Sequence, residues 1–150
     1  MASIQGLALS DYSLEQRNAW SEFGNRSSAF DARLNKTETF VAETNGVIAG
    51  FVAYTSCGTI DLLYVHPRFA RQGVALNLLT AVENEMDTLG VSSISADVSD
   101  TARAVFEKAG YTFVRRNTVQ RSGVELQNTS MEKQLSCQTT VQRCCDTEQV

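Results

Sequence analysis

The sequence predicts an α/β fold, a mixed and mostly antiparallel sheet with helices on both faces. Three observations predict it. Apolar and polar residues alternate around tight turns between Thr39 and Val65. From Ala75 the apolar residues recur at helical spacing instead. Beyond that helix, a strand pattern, a helix pattern and two long strand patterns follow in turn. A sheet whose strands are interrupted by amphipathic helices buries itself by packing those helices on its faces.

Each element has its own signal. Ser13-Leu-Glu-Gln16 is a capping box, with serine at the N-cap and glutamine three residues on, and predicts a helix through Trp20 to Phe23. Gly24-Asn-Arg-Ser-Ser28 breaks it, and Ser28 can cap a second helix through Phe30 and Leu34. Thr39–Thr44 reads as a strand, Asn45-Gly46 as a hairpin turn and Val47–Tyr54 as the returning strand. Ser56-Cys57-Gly58 turns the chain into strand Ile60–Val65. Ala75, Leu78, Leu79, Val82, Met86 and Leu89 form one helical stripe, which Gly90 ends. Ile94, Ala96 and Val98 alternate as a strand. Ser99 or Asp100 can cap a helix that buries Ala102, Val105, Phe106 and Ala109 and stops at Gly110. Thr112–Gln120 and Val124–Met131 are the last two strands, joined at Ser122-Gly123.

With 150 residues the natural expectation is one domain, here 1–135, followed by a polar tail over 136–150 outside the core. Hydrophobic residues make up 43% of the chain, enough for a packed core. The net charge of −4 disfavours a nucleic-acid partner, and no polybasic segment suits an anionic membrane. Neither a spanning segment nor a signal-peptide pattern is present, which predicts a cytoplasmic protein. The four cysteines, Cys57, Cys137, Cys144 and Cys145, show no Cys-x-x-Cys pair and are expected to be reduced. With one histidine, no metal site is expected.

The stretch most specific for chemistry is Ile60–Leu79: a buried strand, the corner Val65-His66-Pro67, a basic turn Arg68-Phe-Ala-Arg-Gln-Gly73, then the long helix. That order delivers free backbone N–H groups to a helix start, which binds phosphate. Gly73 lets the backbone approach a ligand that a side chain would hold away, and Ala75 is small for the same reason. The amides of Arg71, Gln72, Gly73, Val74 and Ala75 can point at phosphate oxygens, with Arg68 and Arg71 adding charge. Taken alone, such a turn is more often structural than not.

Together with the element order and the second block Ser99–Phe113, which ends Phe106-Glu-Lys-Ala-Gly-Tyr111, the chain resembles the GNAT superfamily of N-acyltransferases over roughly Ser13 to Leu135. The resemblance implies acetyl-CoA as co-substrate and transfer of its acetyl group to an amine, with a small-molecule acceptor. It implies that backbone groups near Leu63, Tyr64 and Val65 hold the pantetheine arm, and that an N–H there polarises the thioester carbonyl. Losing such a donor typically costs ~10²–10³ in rate. Ser99 stands where the family has an asparagine near the arm, and Phe106 stands where it often has a tyrosine that protonates the leaving thiolate. A thiol of pKa about 8.5 leaves without much help, so transfer can survive that change. Ala70 replaces the usual Arg or Gln of the phosphate turn.

The family often carries an acid on the strand Ile60–Val65, which makes Asp61 the candidate general base. The competing reading is a carboxylate that merely accepts hydrogen bonds at a strand start, and a bulge would change which face it lines. Glu43, Glu125 and His66 are weaker alternatives, with His66 read as a turn residue. Tyr12, Trp20 and Phe30 are candidate walls of the acceptor pocket, with core packing as their competing reading. Relative to the family, the first strand is expected to be missing, since only Ala2–Ser10 precedes the first cap. An edge so exposed predicts a homodimer. The rival function is a non-catalytic acyl-CoA-binding or interaction module on a shortened fold.

Overall fold

The computed structural model of the chain describes residues 13–16, 18 and 27–136. The expectations for Tyr12, Trp20, a first strand before Ser13 and the tail beyond 136 lie outside the described residues. The capping box forms as read. The Ser13 N–H donates to Gln16 Oε1 at 3.1 Å, and the Gln16 N–H donates to Ser13 Oγ at 3.2 Å. Residues 14–16 are helical.

The remaining elements are α1 (Ser27–Leu34), β1 (Glu38–Thr44), β2 (Val47–Tyr54), β3 (Thr59–Val65), a 3₁₀ turn (Pro67–Phe69), α2 (Val74–Thr88), β4 (Ser93–Ser99), α3 (Asp100–Lys108), β5 (Thr112–Arg121) and β6 (Val124–Gln134). α1 opens one residue before the serine expected to cap it. Among the described residues six strands form one sheet in the order β1-β2-β3-β4-β6-β5. Only β3 and β4 run parallel, because α2 crosses between them. The other four pairings are antiparallel.

The core lies between the sheet and α2 with α3. α2 buries Leu78, Leu79, Val82 and Met86, all within its apolar stripe. They pack with Val52, Tyr54, Ile60, Ile94, Ala96, Val98, Phe106, Tyr111 and Met131. Both helices stop the same way. Gly90 (φ +73) lets the Val91 N–H reach the Met86 carbonyl at 2.9 Å, and Gly110 (φ +93) lets the Tyr111 N–H reach the Phe106 carbonyl at 3.0 Å. Those are Schellman caps, which only a residue at ease with positive φ closes cheaply. Ser99 takes the N-cap position of α3 but its hydroxyl makes no capping bond.

Two irregularities position the site. First, β3 and β4 pair only at Thr59–Ser95 and Ile60–Ala96, then diverge, so the sheet forks at its middle. Second, Ala53 pairs with Leu62 while Tyr54 pairs with Ile60, so Asp61 is the extra residue of a β-bulge. Ile60 and Leu63 both turn to the core, and Asp61 is aimed away from it, towards α1. The expectation of four reduced thiols is corrected at Cys57, which is disulfide-bonded.

Candidate functional site

A cleft of about 1010 Å³ opens along the fork. On the helix side it is lined by Leu63, Val65, Gly73, Val74, Ala75, Val98, Ala102, Val105 and Phe106. On the opposite side of the sheet it is lined by polar groups: Arg33, Asp61, Tyr64, Ser95, Asp97, Arg121, Asn128 and Ser130. The fork therefore joins an apolar chamber to a polar one through a gap in the sheet.

The helix-side end is shaped for an anion. Gly73 is the N-cap of α2 at φ +82, and a Cβ built there meets nothing within 4 Å. Any side chain would project into open space where a ligand would lie. The first helical bond of α2 runs from the Asn77 N–H to the Gly73 carbonyl at 2.9 Å, and no side chain caps the start. The amides ahead of Asn77 are thus left for a ligand or solvent. Arg71 also sits at positive φ (+60), a costly conformation for a residue with a Cβ, and it lines the cleft. Left-handed residues next to a helix start turn successive N–H groups to one side.

Of the residues expected to hold the cofactor, Leu63, Tyr64, Val65, Arg71, Gly73, Val74, Ala75, Ser99 and Phe106 line this cleft. Arg68 and Gln72 are exposed and do not line it. They serve the turn instead: the Arg68 N–H donates to His66 Nδ1 at 3.2 Å, and Gln72 Nε2 donates to the Arg68 carbonyl at 3.0 Å. His66 is the N-cap of the 3₁₀ turn, which explains its place at the strand end. Phe106 is buried and packs edge-on against Tyr111, with centroids 5.0 Å apart.

The fork frees one edge of β3. From Leu62 to Val65 the strand pairs with β2 but no longer with β4. Gly50 permits the close β2–β3 approach, since a Cβ there would lie 2.5 Å from the Tyr64 carbonyl. An extended ligand segment can take the place of the absent neighbour strand.

Asp61 is not an open carboxylate. The guanidinium of Arg33, on α1, grips it through Nε–Oδ2, through Nη2–Oδ1 at 2.6 Å and through Nη2 to the Asp61 carbonyl at 3.2 Å. Both carboxylate oxygens accept from Arg33. That hydrogen bond, opposed by burial, raises the Arg33 pKa. Tyr64 lies beside this pair. Burial raises its phenol above 10, partly offset by Arg33 and Arg121, so it is a neutral donor at physiological pH. Phe30 is half-buried on α1 and does not line the cleft.

The polar wall on β4, β5 and β6 was not foreseen. Asp97, Ser130, Asn117 and Asn128 form one hydrogen-bonded group. Its only sequence signal is the polar phase of the β4 alternation, Ser95, Asp97 and Ser99, opposite the apolar phase Ile94, Ala96 and Val98.

Comparison with known proteins agrees with this architecture. The model of the acetyltransferase (GNAT) domain family matches residues 8–135. The uncharacterized N-acetyltransferase YafP of Escherichia coli K12 is 31% identical over 118 residues, which span 78% of this chain and 73% of that protein. A GCN5-related N-acetyltransferase of Rhodopseudomonas palustris, described in its crystal structure as a class-II aminotransferase, superposes with a TM-score of 0.85 at 39% identity. It covers 89% of this chain and 84% of its own. The protein yncA of Salmonella typhimurium, solved with its cofactor acetyl-CoA, shares the fold at a TM-score of 0.60 and 24% identity, covering 81% of this chain and 78% of its own.

Proposed function

The chain belongs to the GNAT acetyltransferase family, and we propose that it moves the acetyl group of acetyl-CoA directly to a primary amine within the forked cleft. The observation that carries this is the fork itself. It connects an anion-ready helix start and a free strand edge on one face to a polar chamber on the other. The thioester supplies an activated acetyl group. The amides at the start of α2, with Arg71, hold the phosphates, and Gly73 leaves them room. The free edge of β3 around Leu63–Val65 holds the pantetheine arm, and Ser99 offers it a hydroxyl across the fork. A backbone N–H of that edge polarises the carbonyl.

The acceptor enters from the polar face, and both substrates are held together at attack distance, which removes most of the entropic barrier. Phe106 supplies no proton, so the thiolate leaves unaided or takes its proton from water, and turnover is slowed accordingly. Asp61 acts as a positioning residue here. It fixes Arg33, and with it α1, beside the acceptor chamber.

The test is calorimetric. Gly73→Glu sets a carboxylate in the phosphate site and strains the backbone. Acetyl-CoA affinity should fall at least about 100-fold, or about 2.7 kcal/mol. Unchanged affinity would remove the phosphate site. Binding without thiol release on a broad amine panel would favour the non-catalytic alternative.

The protein is further read as a homodimer. β1 is one of the two sheet edges among the described residues and exposes Val41, which supports pairing with a second copy. A monomer mass by light scattering would count against it.

A further inference from the structure

Asp61 and Asp97 occupy matching places. Each directly follows the last paired residue of its strand, Ile60 on β3 and Ala96 on β4, so the two carboxylates flank the point where the fork opens. Their surroundings differ. Asp61 is neutralised by Arg33. Asp97 lines the same cleft, is exposed, and has no ion-pair partner among the described residues. It is nevertheless held in place. Ser130, its register partner on β6, donates to Asp97 Oδ1 at 2.6 Å. Asn117 Nδ2 donates to Ser130 Oγ at 2.8 Å, to Asn128 Oδ1 at 2.8 Å and more weakly to Asp97 Oδ1 at 3.5 Å. Asn128 is buried at 7% exposure, so this end of the network is fixed by the sheet. Both bonds that Asp97 accepts go to Oδ1, and among the described residues none goes to Oδ2 of this cleft-lining carboxylate.

Resting on the acetyl-transfer reading above, we infer that Asp97 is the carboxylate that receives the acceptor as a primary alkylammonium ion and takes its proton. An oriented carboxylate pairs with an ammonium through short charge-assisted hydrogen bonds. Two neighbouring donors on one oxygen leave the other as the acceptor, which is the arrangement a general base needs. The balance is complete with the reactants named. The ammonium N–H bond breaks to Asp97 Oδ2, and the freed lone pair forms the C–N bond at the thioester carbonyl. The C–S bond then breaks, the second amine proton passes to water, the thiolate takes a proton from water, and Asp97 returns its proton to water. The products are the amide and free coenzyme A.

The pocket thus recognises charge and hydrogen bonding at the reacting nitrogen. The acceptor class is an aliphatic amine protonated at neutral pH, in preference to an arylamine, which is not.

The test uses the full chain with acetyl-CoA or coenzyme A, and the probes ethylamine, phenethylamine, spermidine and aniline. Asp97→Asn keeps the shape and removes the charge. Calorimetry should show acetyl-CoA binding unchanged. Binding of at least one aliphatic amine to the coenzyme A complex should weaken about tenfold or more, as loss of a charged hydrogen-bond partner does. Aliphatic amines should be acetylated by the parent chain faster than aniline, and Asp97→Asn should erase that preference, with Asp97→Glu restoring part of it.

Equal amine affinity in the parent and Asp97→Asn, no binding of any aliphatic probe, or a preference for aniline would overturn the assignment. If the parent chain fails to bind acetyl-CoA at all, the acetyl-transfer reading falls first and the Asp97 role with it.

Discussion

At the scale of single residues, the site is organised by what each charge has already been paired with. Asp61 and Arg33 are about one quarter to one third exposed, so their pairing is worth less than that of a dry ion pair but more than that of a surface one. Replacing Arg33 by methionine keeps the stem and strands the Asp61 carboxylate. Urea melts should show a loss of about 1–2 kcal/mol, with Asp61→Asn in that background recovering part of it. If Arg33→Met leaves the midpoint unmoved, the pair contributes only geometry. The local signals around Gly73 were readable in advance, because a basic turn and a glycine between a buried strand and an amphipathic helix gain their meaning from the element order and the second block Ser99–Phe113, all of which are local patterns. The partner of Asp61 was not. Arg33 is 28 residues away, on a helix whose sequence gives no sign of which strand it faces. The bulge that aims Asp61 at it is a shift of one residue in pairing, and an isolated strand pattern does not reveal that.

At the scale of elements, three pieces that close the sheet meet at Lys133 on β6. Its ammonium donates to Glu83 Oε2 of α2 at 2.8 Å and to the carbonyl of Ala109, the C-cap of α3, at 2.6 Å. A cation at a helix C-terminus is favoured by the peptide dipoles, and here it also neutralises a mostly buried carboxylate. Lys133→Met should cost about 3 kcal/mol, because it leaves the Glu83 charge without compensation. Adding Glu83→Gln should restore a measurable share, and a strictly additive double variant would show that the two do not interact.

Strand and helix order were legible because period-2 and period-3.6 patterns are local. So were the Asn45-Gly46 and Ser122-Gly123 turns, whose residues all lie at positive φ as a two-residue hairpin requires. Lys133, in contrast, lies beyond Met131, where the strand pattern ends in the sequence, and its partners come from two helices distant in the chain. Asp97 was hidden for the same reason, since its meaning depends on the fork, and a fork is a relation between two strands.

At the scale of the molecule, helix packing on one face of the sheet places tyrosines where ionisation opposes folding. Tyr111 is buried at 3% exposure beneath α2 and α3, and burial first, then Glu83, pushes its phenol far above the usual 10. Tyr64, beside the fork, is also raised, with burial the largest cause. For a group whose folded pKa exceeds its unfolded value, the folded state holds the proton more tightly. The stabilisation is therefore complete below pH 10 and is lost as the pH rises beyond it, where the unfolded chain ionises and the folded one resists. Stability from urea melts should be flat in this respect up to about pH 9 and should decline from pH 10 to 11, by up to about 1.4 kcal/mol per pH unit for each resisting group. Tyr111→Phe keeps the ring that packs on Phe106 and removes the proton, so its melts should decline less steeply over the same interval. A slope identical to the parent's would mean that Tyr111 reaches solvent before the molecule unfolds, and that the α2–α3 seam opens ahead of the sheet.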